Sequence, residues 1–337
     1  MPPINAKKKI DKLNQFVKVS DRVVYYKMFH SLVLKASYNY IDIEDDIKNL
    51  IKIHFNANCD IHYLGSRVIG LGYKSESDLD LFIDIGKRYY KNRNYNKDVN
   101  IVEHLKTIFD DMPKEWTFKK LNYSVPSIKA IHIKSGIKCD ISVTNGLAVH
   151  NSQLLGHLFD LQPECVALFH YLKKWLKCFD VRFKGFSLTL MLIFYMQNNR
   201  LLPSIWEVQQ GVYPEIFIDK YAVHFDSSRN RDYYGITEIT NFKEHLKGFF
   251  DFYSHYNYRD YIICTFSGRS IRKDCYVERI ESNTPVTIAA PLLRRTNCAK
   301  YITNLHLVEF IEACDFSVKY LKEYKLPQPA NDFEFFN

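Results

Sequence analysis

The feature that most constrains the fold of this chain is residues 77–85, a run in which aspartates alternate with aliphatic residues. In a β-strand, successive side chains point to opposite faces of the sheet. One face of this run is therefore aliphatic and can pack on a core, and it consists of Leu79, Leu81, Ile83 and Ile85. Asp78 and Asp80 share the other face with Phe82 and Asp84. Neighbouring carboxylates repel each other unless a cation joins them.

Two further features lie near this strand in the sequence. A Gly65-Ser66 turn precedes it, and the backbone N–H groups and hydroxyl of such a turn can bind a phosphate. A predicted hairpin, turned at residues 135–136, carries Asp140 back toward Asp78 and Asp80. Three carboxylates suit Mg²⁺ or Mn²⁺ held together with substrate phosphates. The alternative is a surface strand with exposed aspartates.

This constellation resembles the nucleotidyltransferase superfamily of the DNA polymerase beta type, and within it the non-canonical poly(A) polymerases and terminal uridylyltransferases. The matching residues, in type and order, are Gly65, Ser66, Gly70, Leu71, Ser77, Asp78, Asp80 and Asp140. The resemblance implies that Asp78, Asp80 and Asp140 are the catalytic residues and hold two Mg²⁺ or Mn²⁺ ions. It also implies that Gly65 and Ser66 bind the triphosphate of an NTP substrate.

Residues 144–155 resemble the family segment that contacts the sugar of the nucleotide. By that resemblance Asn145 and Asn151 are sugar contacts, with Ser152 beside them. From the residues alone, Asn145 equally predicts a turn before glycine, and Asn151 equally predicts a helix cap.

Two segments further along the chain complete the predicted nucleotide-binding site. Lys173 and Lys177 lie four residues apart and share a helix face, and the resemblance makes them triphosphate ligands. A solvated lysine face is the alternative. Residues 185–191 are similar to the segment of mitochondrial-type poly(A) polymerases in which an aromatic residue, here Phe186, stacks on the base. Gly185 departs from the family's Ser or Asn.

The resemblance covers roughly residues 60–270 and implies an α+β fold. It consists of a nucleotidyltransferase palm, a mixed sheet with flanking helices, and a mainly helical poly(A)-polymerase-associated domain, with the active site in the cleft between them. We predict a basic tail and helix over residues 1–42 that packs on the second domain. We predict the catalytic domain over residues 43–150 and the associated domain over residues 151–337.

Hydrophobic periodicity locates the individual elements. The predicted helices span residues 21–34, 43–55, 102–112 and 165–179, and the predicted strands span residues 60–64, 78–85, 130–133 and 137–143. Residues 87–98 are a basic link rich in Tyr and Asn. It has two interpretations, a single-stranded RNA contact and a solvated loop.

The proposed reaction is addition of nucleoside monophosphates to an RNA 3′-hydroxyl. Residues 280–290 lack the Asp and His of the uridylyltransferase pattern, which favours ATP over UTP. The alternatives are a terminal uridylyltransferase, a superfamily member that acts on a small molecule or makes an oligonucleotide messenger, and a catalytically inactive RNA-binding relative.

Charge and cysteine content bear on partners and location. The net charge of +8 suits an RNA partner with a free 3′ end. Because the sequence shows no RNA-recognition module or zinc finger, an RNA-selecting protein partner is a further expectation. The eight cysteines form no C-x-x-C pair, which is typical of reduced intracellular thiols. We expect no membrane span and a cytoplasmic location, with mitochondria as the alternative, since residues 1–9 resemble a transit peptide poorly.

Overall fold

The structure is a computed structural model that describes residues 40–72, 77–280 and 283–323. The basic tail and the helix predicted over residues 21–34 lie outside the described residues. The chain divides into two compact units. We call them the palm unit, with residues 40–72, 77–160 and 208–228, and the helical unit, with residues 161–207, 229–280 and 283–323.

A five-stranded sheet forms the centre of the palm unit. Its strands are β1 (Cys59–Leu64), β2 (Leu79–Ile85), β3 (Trp116–Asn122), β4 (Ser127–His132) and β5 (Ile137–Ser142). Their order across the sheet is β1-β2-β5-β4-β3. The β2–β5 pair is parallel and the other pairs are antiparallel, so the predicted mixed sheet is confirmed. Strand β3 was not among the predicted strands.

Helices cover the aliphatic face of this sheet. The palm helices are α1 (Ile41–Phe55), α2 (Tyr95–Asp111) and α3 (Leu147–Leu161), and a small hairpin follows in β6 (Phe217–Ile218) and β7 (Tyr221–Ala222). Leu79, Leu81 and Ile83 are buried with apolar residues of α1 and α2, as the alternation predicts. Burying each such side chain contributes about 1.5–3 kcal/mol.

Helix α2 begins seven residues earlier than the predicted helix over residues 102–112. The cause is an N-cap, because the Asn94 side chain accepts a hydrogen bond of 3.1 Å from the Lys97 N–H. The last residues of the predicted link, from Tyr95 onward, are therefore helical.

The helical unit is built mainly of α-helices, as predicted. They are α4 (Glu164–Phe179), α5 (Gly185–Asn198), α6 (Ile205–Gln209), α7 (Arg231–Tyr234), α8 (Phe242–Ser254) and α9 (Asn304–Glu323). Three short strands form a second sheet in the order β10-β8-β9, and they are β8 (Tyr261–Cys264), β9 (Ile271–Arg272) and β10 (Ile288–Ala289).

Helix α5 is apolar on all sides and lies in the core of the helical unit, with residues 187–197 buried. Its backbone is tied to α8, because the Tyr253 hydroxyl donates a hydrogen bond of 2.6 Å to the Met191 carbonyl. The indole N–H of buried Trp175 donates to Ser317 Oγ at 2.8 Å and so ties α4 to α9. Within the described part of the chain, no helix has the length and apolar character needed to cross a bilayer.

Candidate active site

Strand register brings the predicted catalytic residues together in the palm unit. Asp80 on β2 and Asp140 on β5 are direct partners in the parallel pair. Asp140 is also the direct partner of Lys129 on β4. Neighbours in register point to the same face of a sheet. Lys129, Asp140 and Asp80 therefore form a row across three strands, and Asp78 lies two residues before Asp80 on the same face.

The ammonium group of Lys129 binds two of the three carboxylates. Lys129 Nζ lies 2.8 Å from Asp78 Oδ2 and 2.9 Å from Asp140 Oδ2. Partial burial lowers the pKa of Lys129, but its hydrogen bonds to the two carboxylates outweigh this effect and raise the pKa above its usual value. The three groups form a charged cluster with a single ammonium group at its centre.

Asp80 is the most perturbed carboxylate of the cluster. Burial, together with repulsion from Asp140 and Asp78, raises the pKa of Asp80 to about 7. Lys129 and Arg67 oppose that shift. Asp80 therefore lies where a further positive charge would stabilise its ionised form.

The donor set fits a hard divalent cation. Asp78, Asp80 and Asp140 offer carboxylate oxygens alone, the donors that Mg²⁺ and Mn²⁺ prefer. Two of these carboxylates already converge on one cationic group, that of Lys129. In the conformation described for residues 40–72, 77–280 and 283–323, no group of three or more His, Cys, Asp or Glu is close enough to hold a metal ion. The Asp78 and Asp140 oxygens lie instead against the ammonium group.

The Gly65 turn lies directly against this cluster. Gly65 has a φ of +76°, and a β-carbon built on it would lie 1.9 Å from Asp80 Oδ2. Residues 65–71 form a compact turn in which the Leu71 N–H donates to the Ser66 carbonyl at 2.8 Å. Arg67 ties this turn to two neighbouring segments, since its Nη1 donates to the Tyr40 hydroxyl and its Nε donates to the Ser77 carbonyl.

The start of helix α3 also contributes to the site. Ser152 Oγ accepts a hydrogen bond of 2.9 Å from the Gly65 N–H and donates one of 3.0 Å to the Ala148 carbonyl. Asn151 Oδ1 is buried and has no hydrogen-bond partner among the residues that the structure describes. A buried acceptor without a donor costs free energy, so a ligand hydroxyl at that position would be stabilising.

Asn145 has a different environment from Asn151. It is 1% exposed, and its Nδ2 donates to the Lys91 carbonyl at 3.1 Å and to Asp219 Oδ2 at 2.8 Å. Its Oδ1 accepts from the Leu147 N–H and caps helix α3. These bonds use both amide hydrogens of Asn145, as the turn interpretation expects, and its contact with the nucleotide sugar stays a prediction. In this conformation it holds the start of α3 to the segment before α2.

Two arginines of the predicted basic link, residues 87–98, form ion pairs within the palm unit. Arg88 is buried and forms an ion pair with Asp98, and its Nη1 donates to the Val143 carbonyl at 3.2 Å. Arg93 Nε lies 3.2 Å from Asp219 Oδ2. Buried Arg88 is therefore neither an RNA contact nor part of a solvated surface, whereas Arg93 is exposed and pairs with Asp219. Phe82 and Asp84, on the aspartate-bearing face of β2, are buried, which argues against the alternative of a surface strand with exposed aspartates.

Three predicted nucleotide contacts lie in the helical unit. Lys173 and Lys177 share one face of α4, and Lys173 Nζ lies 6.0 Å from the ring centre of Phe169. Phe186, in the first turn of α5, is 41% exposed, so its ring is accessible for stacking.

Lys129 is the functional candidate that the sequence analysis missed. A two-residue turn at residues 135–136 would pair residue 140 with residue 131, by counting outward along both strands. The observed register pairs Asp140 with Lys129 instead, because four residues, 133–136, connect β4 to β5.

Comparison with known proteins finds a matching family model and several relatives of similar sequence. Residues 32–159 match the family model described as "Poly(A) RNA polymerase, mitochondrial-like, central palm domain". Terminal uridylyltransferase 7 of Homo sapiens is 25% identical over 240 residues, which cover 67% of this chain and 15% of that protein. The mitochondrial poly(A) RNA polymerase of Mus musculus is 24% identical over 223 residues, which cover 63% of this chain and 37% of that protein.

Solved structures show the same fold. The crystal structure of mtPAP in complex with CTP superposes with a TM-score of 0.73 at 20% identity, over 94% of this chain and 72% of that chain. The MgGTP-bound Cid1 poly(U) polymerase gives a TM-score of 0.67 at 19% identity, over 91% of this chain and 97% of that chain. The chain is thus similar in sequence to poly(A) polymerases and terminal uridylyltransferases, and it shares the fold of mtPAP and Cid1.

Proposed function

We propose that this chain transfers nucleoside monophosphates from an NTP to the 3′-hydroxyl of an RNA, without a template and with release of pyrophosphate. The observation that carries the proposal is the row of Asp80, Asp140 and Lys129 across the palm sheet, with Asp78 and the Gly65 turn beside it. A loop that can bind phosphate lies against carboxylates that can hold a cation, as phosphoryl transfer requires.

In this proposal Asp78, Asp80 and Asp140 hold two divalent cations, Mg²⁺ or Mn²⁺. When bound, such ions lower the pKa of the attacking hydroxyl and stabilise the charge of the leaving pyrophosphate. The carboxylates contribute position, since Asp80 and Asp140 are fixed by strand register and Asp78 by its place at the start of β2.

The rest of the chain holds and orients the nucleotide. The Gly65-Ser66 turn, Lys173 and Lys177 bind the triphosphate, Asn151 binds the sugar with Ser152 fixing the turn, and Phe186 stacks on the base. Support for Asn151 is its buried, unpartnered Oδ1, and support for Phe186 is its exposed ring. Asn145 is included as a positioning residue, because its amide is bonded within the palm unit.

ATP is the proposed substrate. The mitochondrial-type segment at residues 185–191 and the absence of His from residues 280–290 support it. Uridylyl transfer is the second candidate, and it is favoured by the similarity to terminal uridylyltransferase 7. The chain spans 15% of that protein's length, so this similarity bears on the shared segment alone.

Incorporation by purified protein tests the proposal. A 5′-labelled single-stranded RNA is mixed with Mg²⁺ or Mn²⁺ and with each of ATP, UTP, CTP and GTP separately, and the products are separated on denaturing gels. We expect a ladder with ATP that is lost in Asp78→Ala and in Asp140→Ala while both variants keep the wild-type circular dichroism spectrum. A ladder with UTP alone would establish the second candidate.

Absence of extension with every NTP, from protein that still binds RNA, would favour the inactive RNA-binding relative. A requirement for RNA as acceptor separates RNA tailing from small-molecule transfer. An intracellular site of action, cytoplasmic or mitochondrial, and an RNA-selecting protein partner belong to the same proposal. The mitochondrial poly(A) polymerases among the relatives support the proposed intracellular site of action.

A further inference from the structure

We infer that Lys129 is a built-in counter-cation of the active site, which holds Asp78 and Asp140 together in the metal-free protein and must leave them when a divalent cation binds. Lys129 is thus a positioning residue that tunes the affinity of the site for its metal. This inference rests on the proposed function, because it concerns the same carboxylates.

The geometry of the cluster carries the first step. Lys129 Nζ lies 2.8 Å from Asp78 Oδ2 and 2.9 Å from Asp140 Oδ2, so one ammonium group bridges two carboxylates on different strands. The backbones are fixed by register, since Lys129 and Asp140 are direct partners on β4 and β5. The side chain of Lys129 therefore reaches the carboxylates from a rigid base.

Stability alone does not account for this arrangement. The side chains of Lys129, Asp78 and Asp140 are 44%, 33% and 25% exposed. Ion pairs with this exposure contribute little to folding, because solvent screens them and ordering a lysine costs entropy. An ammonium group placed between Asp78 and Asp140 instead limits the repulsion between these two carboxylates before any metal arrives.

Competition for the same oxygens is the second step. A divalent cation bound by Asp78 and Asp140 would approach the oxygens that Lys129 already contacts, and two cations at such short distances repel each other. The long, partly exposed side chain of Lys129 can rotate into solvent, because lysine has four flexible carbon–carbon bonds. Metal binding and the Lys129 contacts are therefore mutually exclusive.

The competition between Lys129 and the metal predicts how the affinity for the metal changes when Lys129 is replaced. Removal of the competing charge strengthens metal binding, whereas loss of a merely structural residue would weaken it or leave it unchanged. Lys129→Gln should bind Mn²⁺ about threefold to tenfold more tightly than wild type, the range expected when partly exposed ion pairs compete. Lys129→Arg keeps the charge and should remain within about twofold of wild type.

Electron paramagnetic resonance of free Mn²⁺ measures this affinity in the full chain without NTP or RNA. Lys120→Gln is the matched control, because Lys120 is the register partner of Lys129 on β3, is exposed, and lies one strand further from the carboxylates. The Mn²⁺ affinity of Lys120→Gln should equal that of wild type. Asp140→Asn should bind Mn²⁺ more weakly, which identifies the site.

The outcomes separate the two proposals. If Asp140→Asn weakens Mn²⁺ binding but Lys129→Gln binds no more tightly than wild type, the role of Lys129 is wrong while the metal site stands. If wild type binds no Mn²⁺ that depends on Asp140, the proposed function and this inference both fail.

A second measurement on the unmodified chain covers the case in which Lys129→Gln does not fold. Brief acetylation with acetic anhydride, followed by mass spectrometry, reports how accessible each lysine amine is. Saturating Mn²⁺ should raise the modification rate of Lys129 about threefold or more and leave that of Lys120 unchanged. An unchanged or lower rate at Lys129, in protein that binds Mn²⁺, would contradict its displacement.

Discussion

Gly65 lies so close to Asp80 that a β-carbon at residue 65 would be 1.9 Å from Asp80 Oδ2. The Gly65 turn and the half-buried Asp80 therefore form one structural unit, which a single added methyl group would push apart. The Gly65 N–H is held at the same time by Ser152 Oγ at 2.9 Å, so the turn has little room to retreat.

Gly65→Ala should reduce nucleotide incorporation by at least about 100-fold, since displacing a reacting group by about 1 Å has an effect of that order. Gly136→Ala is the matched control, because Gly136 also has a positive φ of +68° but has open space around it. Both variants should lose about 1–2 kcal/mol of unfolding free energy from the unfavourable φ. Equal activity in the two variants, measured with labelled RNA, would argue against a role for the close approach.

Asn145 and Asn151 should respond differently to substitution. Asn145→Ala should lower the unfolding free energy by about 1–3 kcal/mol, because it leaves the partners of a buried amide unsatisfied. Asn151→Ala should leave stability near wild type and raise the KM for ATP about threefold to tenfold, the value of one lost hydrogen bond.

The comparison of ATP with dATP sharpens that test. If Asn151 contacts the sugar, Asn151→Ala should reduce the preference of the enzyme for ATP over dATP. Asn145→Ala should leave this preference unchanged in the fraction of protein that remains folded. The reverse pattern would assign the sugar contact to Asn145.

The stability of the metal-free protein should depend on Asp80 in a pH window set by its two pKa values. Burial raises the pKa of Asp80 from 3.8 to about 7, so the folded state binds this proton more tightly than the unfolded state does. The stabilising contribution of protonated Asp80 is therefore fully present below pH 3.8, the unfolded-state pKa. It is lost as the pH rises through about 7, the folded-state pKa.

Thermal unfolding in EDTA between pH 4 and pH 8 measures this effect. The melting temperature of wild type should fall relative to that of Asp80→Asn, which has no proton to lose, as the pH approaches 8. Mg²⁺ should reverse the loss in wild type and not in Asp80→Asn. A constant difference between the two proteins across the range would show that Asp80 does not titrate there.

The buried ion pair of Arg88 and Asp98 should be essential for the palm unit. Arg88→Met leaves Asp98, which is 1% exposed, as an uncompensated buried charge, and should lower the unfolding free energy by about 3–5 kcal/mol. The exposed pair of Lys106 and Asp110 in the same helix is the control, and Lys106→Met should cost about 0.5 kcal/mol or less. Urea denaturation of both variants measures the difference, and similar losses would contradict the structural role of Arg88.

The sequence by itself determined four of the five strands of the palm sheet and the face that carries the aspartates. Alternation over residues 77–85 gave the aliphatic face and the paired aspartates, because strand side chains alternate whatever the surrounding fold. The hairpin turn at residues 135–136 brought Asp140 to the same face, since a short turn fixes antiparallel register locally. Helices α1, α2 and α4 were likewise predicted from their hydrophobic spacing.

Tertiary structure alone decided which polar residues are available to a ligand. Asn145, Arg88 and Arg93 have the residue types of a nucleotide or RNA contact, yet their partners Asp219, Asp98 and Val143 lie 10 to 126 positions away in sequence. Long-range partners of this kind follow from packing and not from local pattern. The bridging position of Lys129 depends in the same way on three strands meeting, because an ion pair exists only where the fold brings its charges together.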